Sequence, residues 1–230
     1  MMEKAEPRFD DWKKSLDNKT AAQARFERWL FLYLSKVLFS GKPGELLRFS
    51  APFFGRTVMD TLNESKAMAS LWGLSTYHLR WSAQSAHVFF YDRQKLEGVL
   101  RGVAQNRLFH FLGYGPSVTA MSFLDGLAER WRQTGQIPHE IGIAVGYPLK
   151  DVLGYMGLVD LPKRMVREWC IYGREGASLQ RKEQYDLGLQ RGLEYLRTDQ
   201  SAMIRDELCG HRSYTTYVCP EGDVAVQEDQ

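Results

Sequence analysis

Between Ile137 and Gly154 the chain reads IPHEIGIAVGYPLKDVLG, and this stretch holds the residues best placed to do chemistry: His139, Glu140, Tyr147 and Asp151. Adjacent residues on a helix point about 100° apart, so His139 and Glu140 do not naturally share one ligand. A zinc-protease helix needs a second His four residues after the first, and position 143 is Ile143. His139 follows Pro138, a residue suited to a helix start, where free backbone N–H groups favour an anion. An imidazole there could act as a proton donor, an acid–base group or a single metal or haem ligand. The plainer alternative is that His139 or Glu140 caps the helix while Gly142 and Gly146 permit close packing. Tyr147 could bind a ligand through its hydroxyl or ring face, or simply pack with its hydroxyl on neighbouring backbone. Asp151 most simply caps or faces solvent in the first turn after Pro148. It becomes a candidate acid only if the fold brings it near His139, Arg56 or another polar group.

The remaining chemistry-bearing residues are weaker signals. Cys209, His211 and Cys219 place three soft ligands close together, but paired cysteines at zinc-site spacing and a fourth ligand are missing, so no metal is expected. Cys170, between Trp169 and Ile171, reads as a buried inert thiol. The sequence contains neither GxxxxGK[ST] nor GxGxxG after a strand, and no serine sits in a nucleophile-elbow context. A catalytic set is therefore unknown. Arg164, Arg167 and Arg174 alternate with Glu168 and Glu175, which reads as a solvated face and not a nucleic-acid track.

The elements that must position these residues are mostly helices. Residues 8–17 suggest a short polar helix. From 20 to 39, Phe26, Trp29, Leu30, Tyr33, Leu34, Val37 and Leu38 recur at helical spacing. A short helix is expected over 45–49 and another over 57–71. Aromatic and β-branched runs at 77–82 and 87–91, joined by four residues, suggest a hairpin. Asp92 is a plausible cap for the next helix, and a further helix carries Val118 to Trp131 and stops at Gly135. Two short helices should meet at Gly146-Tyr147-Pro148. Residues 169–172 (WCIY) read as a third strand, and a long helix covers 176–197.

The fold class expected is α+β, a mostly helical single domain around a small sheet of about three strands. Residues 1–19 form a polar N-terminal segment, 20–199 the domain, and 200–230 a C-terminal tail. With 230 residues, 44% hydrophobic, the chain can bury a core without staples, and its formal net charge of +2 favours neither nucleic acid nor membrane by bulk attraction. Three cysteines do not make a disulfide scaffold, the charged N-terminus lacks a signal-peptide core, and WLFLYLSKVLF (29–39) is too short to span a bilayer. A cytoplasmic protein is expected.

The motifs carry one resemblance. Pro138-His139-Glu140-Ile141-Gly142, Gly146-Tyr147-Pro148, and Asp151-Val152 followed by Gly154 resemble the signature of a bacterial family catalogued as domain of unknown function 3793. Trp169-Cys170-Ile171-Tyr172 is similar to a family strand, with Cys170 at its Lys position. The aromatic strand ending at Tyr91, the helix with Leu96 and Leu100, and Gly113-Tyr114 are also family-like, so the resemblance spans about residues 46–197. Two departures stand out: Ser50-Ala51-Pro52 replaces a Cys-Ala-Pro, and Phe53-Phe54-Gly55-Arg56 replaces a following Lys-Pro. The family carries no established activity.

The resulting expectation is an accessory protein that binds a small ligand around His139, Glu140, Tyr147, Asp151, Trp169 and Tyr172. The family's habitat suggests iron or haem handling in an anaerobe, with the cofactor itself unknown. The alternative is a non-catalytic protein–protein interaction module with an aromatic-rich surface. A hydrolase or transferase using His139 as base ranks third, for want of a second catalytic group.

Overall fold

The computed structural model describes residues 7–197. It is α+β: nine α-helices, a three-stranded antiparallel sheet and a separate two-stranded ribbon among those residues. The main sheet consists of β1 (Gly44–Ser50), β2 (Ser75–Trp81) and β3 (Ser85–Tyr91), in the order β1-β3-β2. The ribbon pairs β4 (Lys163–Val166) with β5 (Cys170–Tyr172).

Strand alternation divides the interior into two cores, one on each face of the main sheet. Leu47, Phe49, Ala86, Val88 and Phe90 point to the first, and Leu46, Leu79, Phe89 and Tyr91 to the second. The first core is closed by α1 (Pro7–Ser15), α2 (Ala21–Phe39) and α3 (Val58–Leu71). The second is closed by α4 (Arg93–Val103), α5 (Arg107–Phe111), α6 (Ala120–Thr134), α7 (Ile141–Val145) and α8 (Leu149–Tyr155). The last helix, α9 (Gly176–Leu196), contributes Leu196 to the first core and Tyr185 to the second.

Helix α2 begins at a capping box, with Thr20 and Gln23 satisfying each other's free donors, and is buried nearly all round. Against it lies α9, at a spacing set by glycine. A Cβ on Gly192 would stand 2.5 Å from the Ser35 Cβ, so no larger residue fits without parting the helices. Asp92 caps α4 through the Lys95 N–H, and Gly135 ends α6 in the left-handed conformation, both as the sequence indicates.

Three expectations change. Residues 45–49 belong to strand β1, because pairing with β3 buries Leu47 and Phe49 on one face and Leu46 on the other, which overrides the helical preference of a Leu-rich run. The 169–172 strand does not join the main sheet; it turns back on β4, which the sequence reading missed. The N-terminal helix is polar in composition, yet Phe9, Trp12 and Leu16 of this segment are buried in the first core.

Candidate functional site

Helices α7 and α8 meet at Gly146, whose φ of +93° and close approach to Pro43 and the Tyr185 hydroxyl admit no side chain. Pro148 then opens α8. This elbow packs on β5 and encloses a pocket lined by His139, Gly142, Tyr147, Asp151, Val152, Tyr155, Trp169 and Cys170. Four of the six residues singled out from sequence line it: His139, Tyr147, Asp151 and Trp169. Glu140 and Tyr172 do not.

Asp151 departs most from expectation. It neither caps α8 nor faces solvent; it is 1% exposed. Its Oδ1 accepts from Lys150 Nζ at 2.6 Å and the Tyr172 backbone N–H at 2.9 Å. Its Oδ2 accepts from Trp169 Nε1 at 2.9 Å and Ser178 Oγ at 2.6 Å. Lys150 Nζ also donates to the Tyr172 carbonyl and to Ser178 Oγ, which occupies its three N–H groups. The carboxylate and the ammonium thus close a network joining α8, β5 and α9. Asp151 has no oxygen left over for acid–base work.

The walls are aromatic. Tyr147 stacks on Trp169 with centroids 4.5 Å apart and planes 21° from parallel. At the rim, the exposed His139 ring stands edge-on to Tyr155, centroids 4.9 Å apart. No hydrogen bond holds the His139 imidazole among the described residues. Burial pushes the Tyr155 phenol upward, and burial together with the carboxylates of Glu45 and Glu168 pushes Tyr147 well above the ordinary range. Both phenols are therefore neutral at physiological pH and not phenolates.

The capping alternative is also corrected. The α7 start carries no side-chain cap, and the buried Glu140 carboxylate instead pairs with Arg130 of α6. Arg130 in turn lies over the Tyr114 ring at 4.7 Å. Glu140 ties two helices together and turns away from the pocket. At five residues, α7 is also too short to act as an anion-binding helix terminus.

Behind the Tyr147–Trp169 stack lies a second polar layer that the sequence did not reveal. Lys42, 2% exposed, pairs with Glu45 at 2.6 Å and sits over the Tyr185 ring at 5.4 Å. Lys36 pairs with Glu168. Burial alone would raise the Glu168 carboxyl, but Lys36, Lys42 and Lys182 hold it below the usual carboxylate range. The Tyr185 hydroxyl donates to the Gly146 carbonyl at 2.8 Å and fixes the elbow from behind.

The chain matches a protein family over residues 30–204, and that family is described as a protein of unknown function (DUF3793). The protein belongs to the DUF3793 family. The match covers most of the chain, and the Pro-His-Glu-Ile-Gly and Gly-Tyr-Pro runs of this DUF3793 member are the segments that build the pocket elbow. No curated protein and no solved structure matches it.

The cavity, about 30 Å³, has room for one or two waters, so a haem or flavin does not fit inside it. Among the described residues no group of three or more His, Cys, Asp or Glu converges as a metal site would require, and no helix is long and apolar enough to cross a membrane. Cys170 is buried but disulfide-bonded, so the free thiol expected from sequence is not present. Cys209, His211 and Cys219 lie outside the described residues.

Proposed function

We propose that this DUF3793 protein binds a small ligand, or one small group of a larger ligand, in the pocket between α7, α8 and β5. The observation that supports it is the contrast within the lining. Asp151 is fully engaged, the Tyr147–Trp169 stack forms an apolar wall, and His139 stands exposed at the mouth with no hydrogen-bond partner among the described residues. Such a site suits a compact planar or methyl-sized group carrying one polar atom that the imidazole can meet. It does not suit a bulky prosthetic group, and the geometry lends no support to the haem version of an iron-handling role. Nor does it provide the paired groups that hydrolysis or group transfer requires.

The interaction-module reading draws no support from the aromatic content. Five of the six tryptophans and nine of the twelve phenylalanines are buried, so these residues build the two cores. The exposed exceptions, Trp81 and Phe111, lie on β2 and α5 respectively.

The binding reading is tested by nuclear magnetic resonance with methanol, methylammonium and acetamide, probes small enough for the cavity, following the His139 ring protons. A saturable shift of His139 with at least one probe, absent for His78, His87 and His110, is expected. Uniform small shifts of all the histidines, or no shift with any probe, would count against the site.

A further inference from the structure

On the second-core face of the main sheet, the strand register brings three basic residues into one row. Arg48 of β1 pairs with His87 of β3, and His87 pairs on its other side with Arg80 of β2. A register shift between His78 and Arg80 lets Arg80 share this face, and both Arg80 and His87 lie against Trp131 of α6, at 6.0 and 4.7 Å. Two positions along, Ser50 pairs with Ser85, and alternation puts both hydroxyls on the same face. Helix α6 ends at Thr134, and beyond it this end of the sheet carries the exposed Arg48 and Arg80 and the half-buried His87.

Like charges directly opposite one another weaken a sheet. Here the fold reduces the conflict by keeping the central member neutral. Burial, then the guanidiniums of Arg48 and Arg80, lowers the His87 imidazole to about 4. At neutral pH the row therefore presents two forked cations flanking a neutral ring. Arg80 is anchored by the Gly135 carbonyl at 2.9 Å as well as by Trp131. The exposed Arg48 guanidinium has no ion pair or hydrogen bond among the described residues. We propose that this row, Arg48, His87 and Arg80 with the Ser50 and Ser85 hydroxyls, is a binding site for a small oxyanion, either a phosphate or a carboxylate group. Guanidinium forks match such an oxyanion in bidentate fashion, and the imidazole and hydroxyls supply further donors. The site lies on the main sheet and not among the α7, α8 and β5 residues that line the pocket, so it stands or falls independently of the pocket.

The test follows the His87 ring by nuclear magnetic resonance across a pH titration, in chloride and then with inorganic phosphate or trifluoroacetate, both still anionic near pH 4, replacing chloride at fixed ionic strength. Fixed ionic strength is needed because salt alone screens the two guanidiniums. Either anion is expected to move the His87 midpoint from about 4 to about 5 or above, since a bound negative charge favours the imidazolium. Which of the two acts more strongly identifies the ligand chemistry. Arg48→Ala should abolish the movement while leaving the His110 and His139 signals in place, and Arg48→Lys, which keeps the charge without the fork, should retain part of it. An unmoved midpoint with both anions, or equal movement in wild type and Arg48→Ala, would overturn the proposal.

Discussion

The indole N–H of Trp169 donates to the Asp151 carboxylate across 2.9 Å, and this bond ties the turn before β5 to α8 beside the pocket. Since the same carboxylate takes three further donors, the residue whose sequence position suggested a cap or a solvent-facing acid is the structural centre of the site.

Removing that carboxylate should unfold the protein readily. Asp151→Ala strands four donors, one of them the Lys150 ammonium, and is expected to cost at least about 3 kcal/mol in urea denaturation. Asp151→Asn should also destabilise, because its NH2 group must face two donors. A variant as stable as wild type would show the network to be unimportant.

His139 and Glu140, adjacent in sequence, should behave oppositely. His139 is exposed and caps nothing, so His139→Ala should change stability by less than about 0.5 kcal/mol. Glu140→Gln breaks a largely buried ion pair with Arg130 and should cost about 1–3 kcal/mol. The same denaturation series decides both.

Glycines at the α2–α9 seam and on the open face of α4 should also diverge. Gly192→Ala drives a methyl group into Ser35 and should destabilise by about 1–3 kcal/mol. Gly98 is exposed in mid-helix, and a Cβ there would meet only the flexible tip of Arg101 at 3.9 Å, so Gly98→Ala should stabilise by about 0.5–1 kcal/mol through helix propensity. Thermal melts of the two variants moving in opposite directions would bear this out.

Acid stability depends on His87. Its folded midpoint, about 4, lies below the ordinary 6.5, so between those values the unfolded chain binds a proton that the folded chain does not. Stability therefore falls as pH drops from 6.5 to 4 and levels off below that, with a contribution of about 1–2 kcal/mol once the half-exposed ring is allowed for. His78, also lowered, acts in the same direction. His87→Gln should flatten part of this acid slope in denaturation curves taken across the range.

Much of the architecture was legible because it rests on local signals. The α2 periodicity, the Asp92 cap, the Gly135 stop and the elbow at Gly146-Tyr147-Pro148 are each written in a few adjacent residues. Strand β1 is not legible in the sequence because GELLRFS has helical composition, and only its partner β3 makes it a strand. Within the site, the segment was found but its internal division was not. Whether Asp151 is a cap or a buried hub depends on Trp169 and Ser178, 18 and 27 residues away. Lys150 and Lys42 carried no signal, since a lysine in sequence is presumed solvated until partners far along the chain or packed rings enclose it.

The pocket claim is tested most directly by native mass spectrometry of the full-length protein as isolated, with an absorption spectrum, beside His139→Ala prepared in the same way. The expected result is a stoichiometric low-mass ligand on the wild-type protein, no haem or flavin band, and loss of that ligand from a fully folded His139→Ala. A bare mass for both proteins, or a ligand retained equally by both, would contradict it.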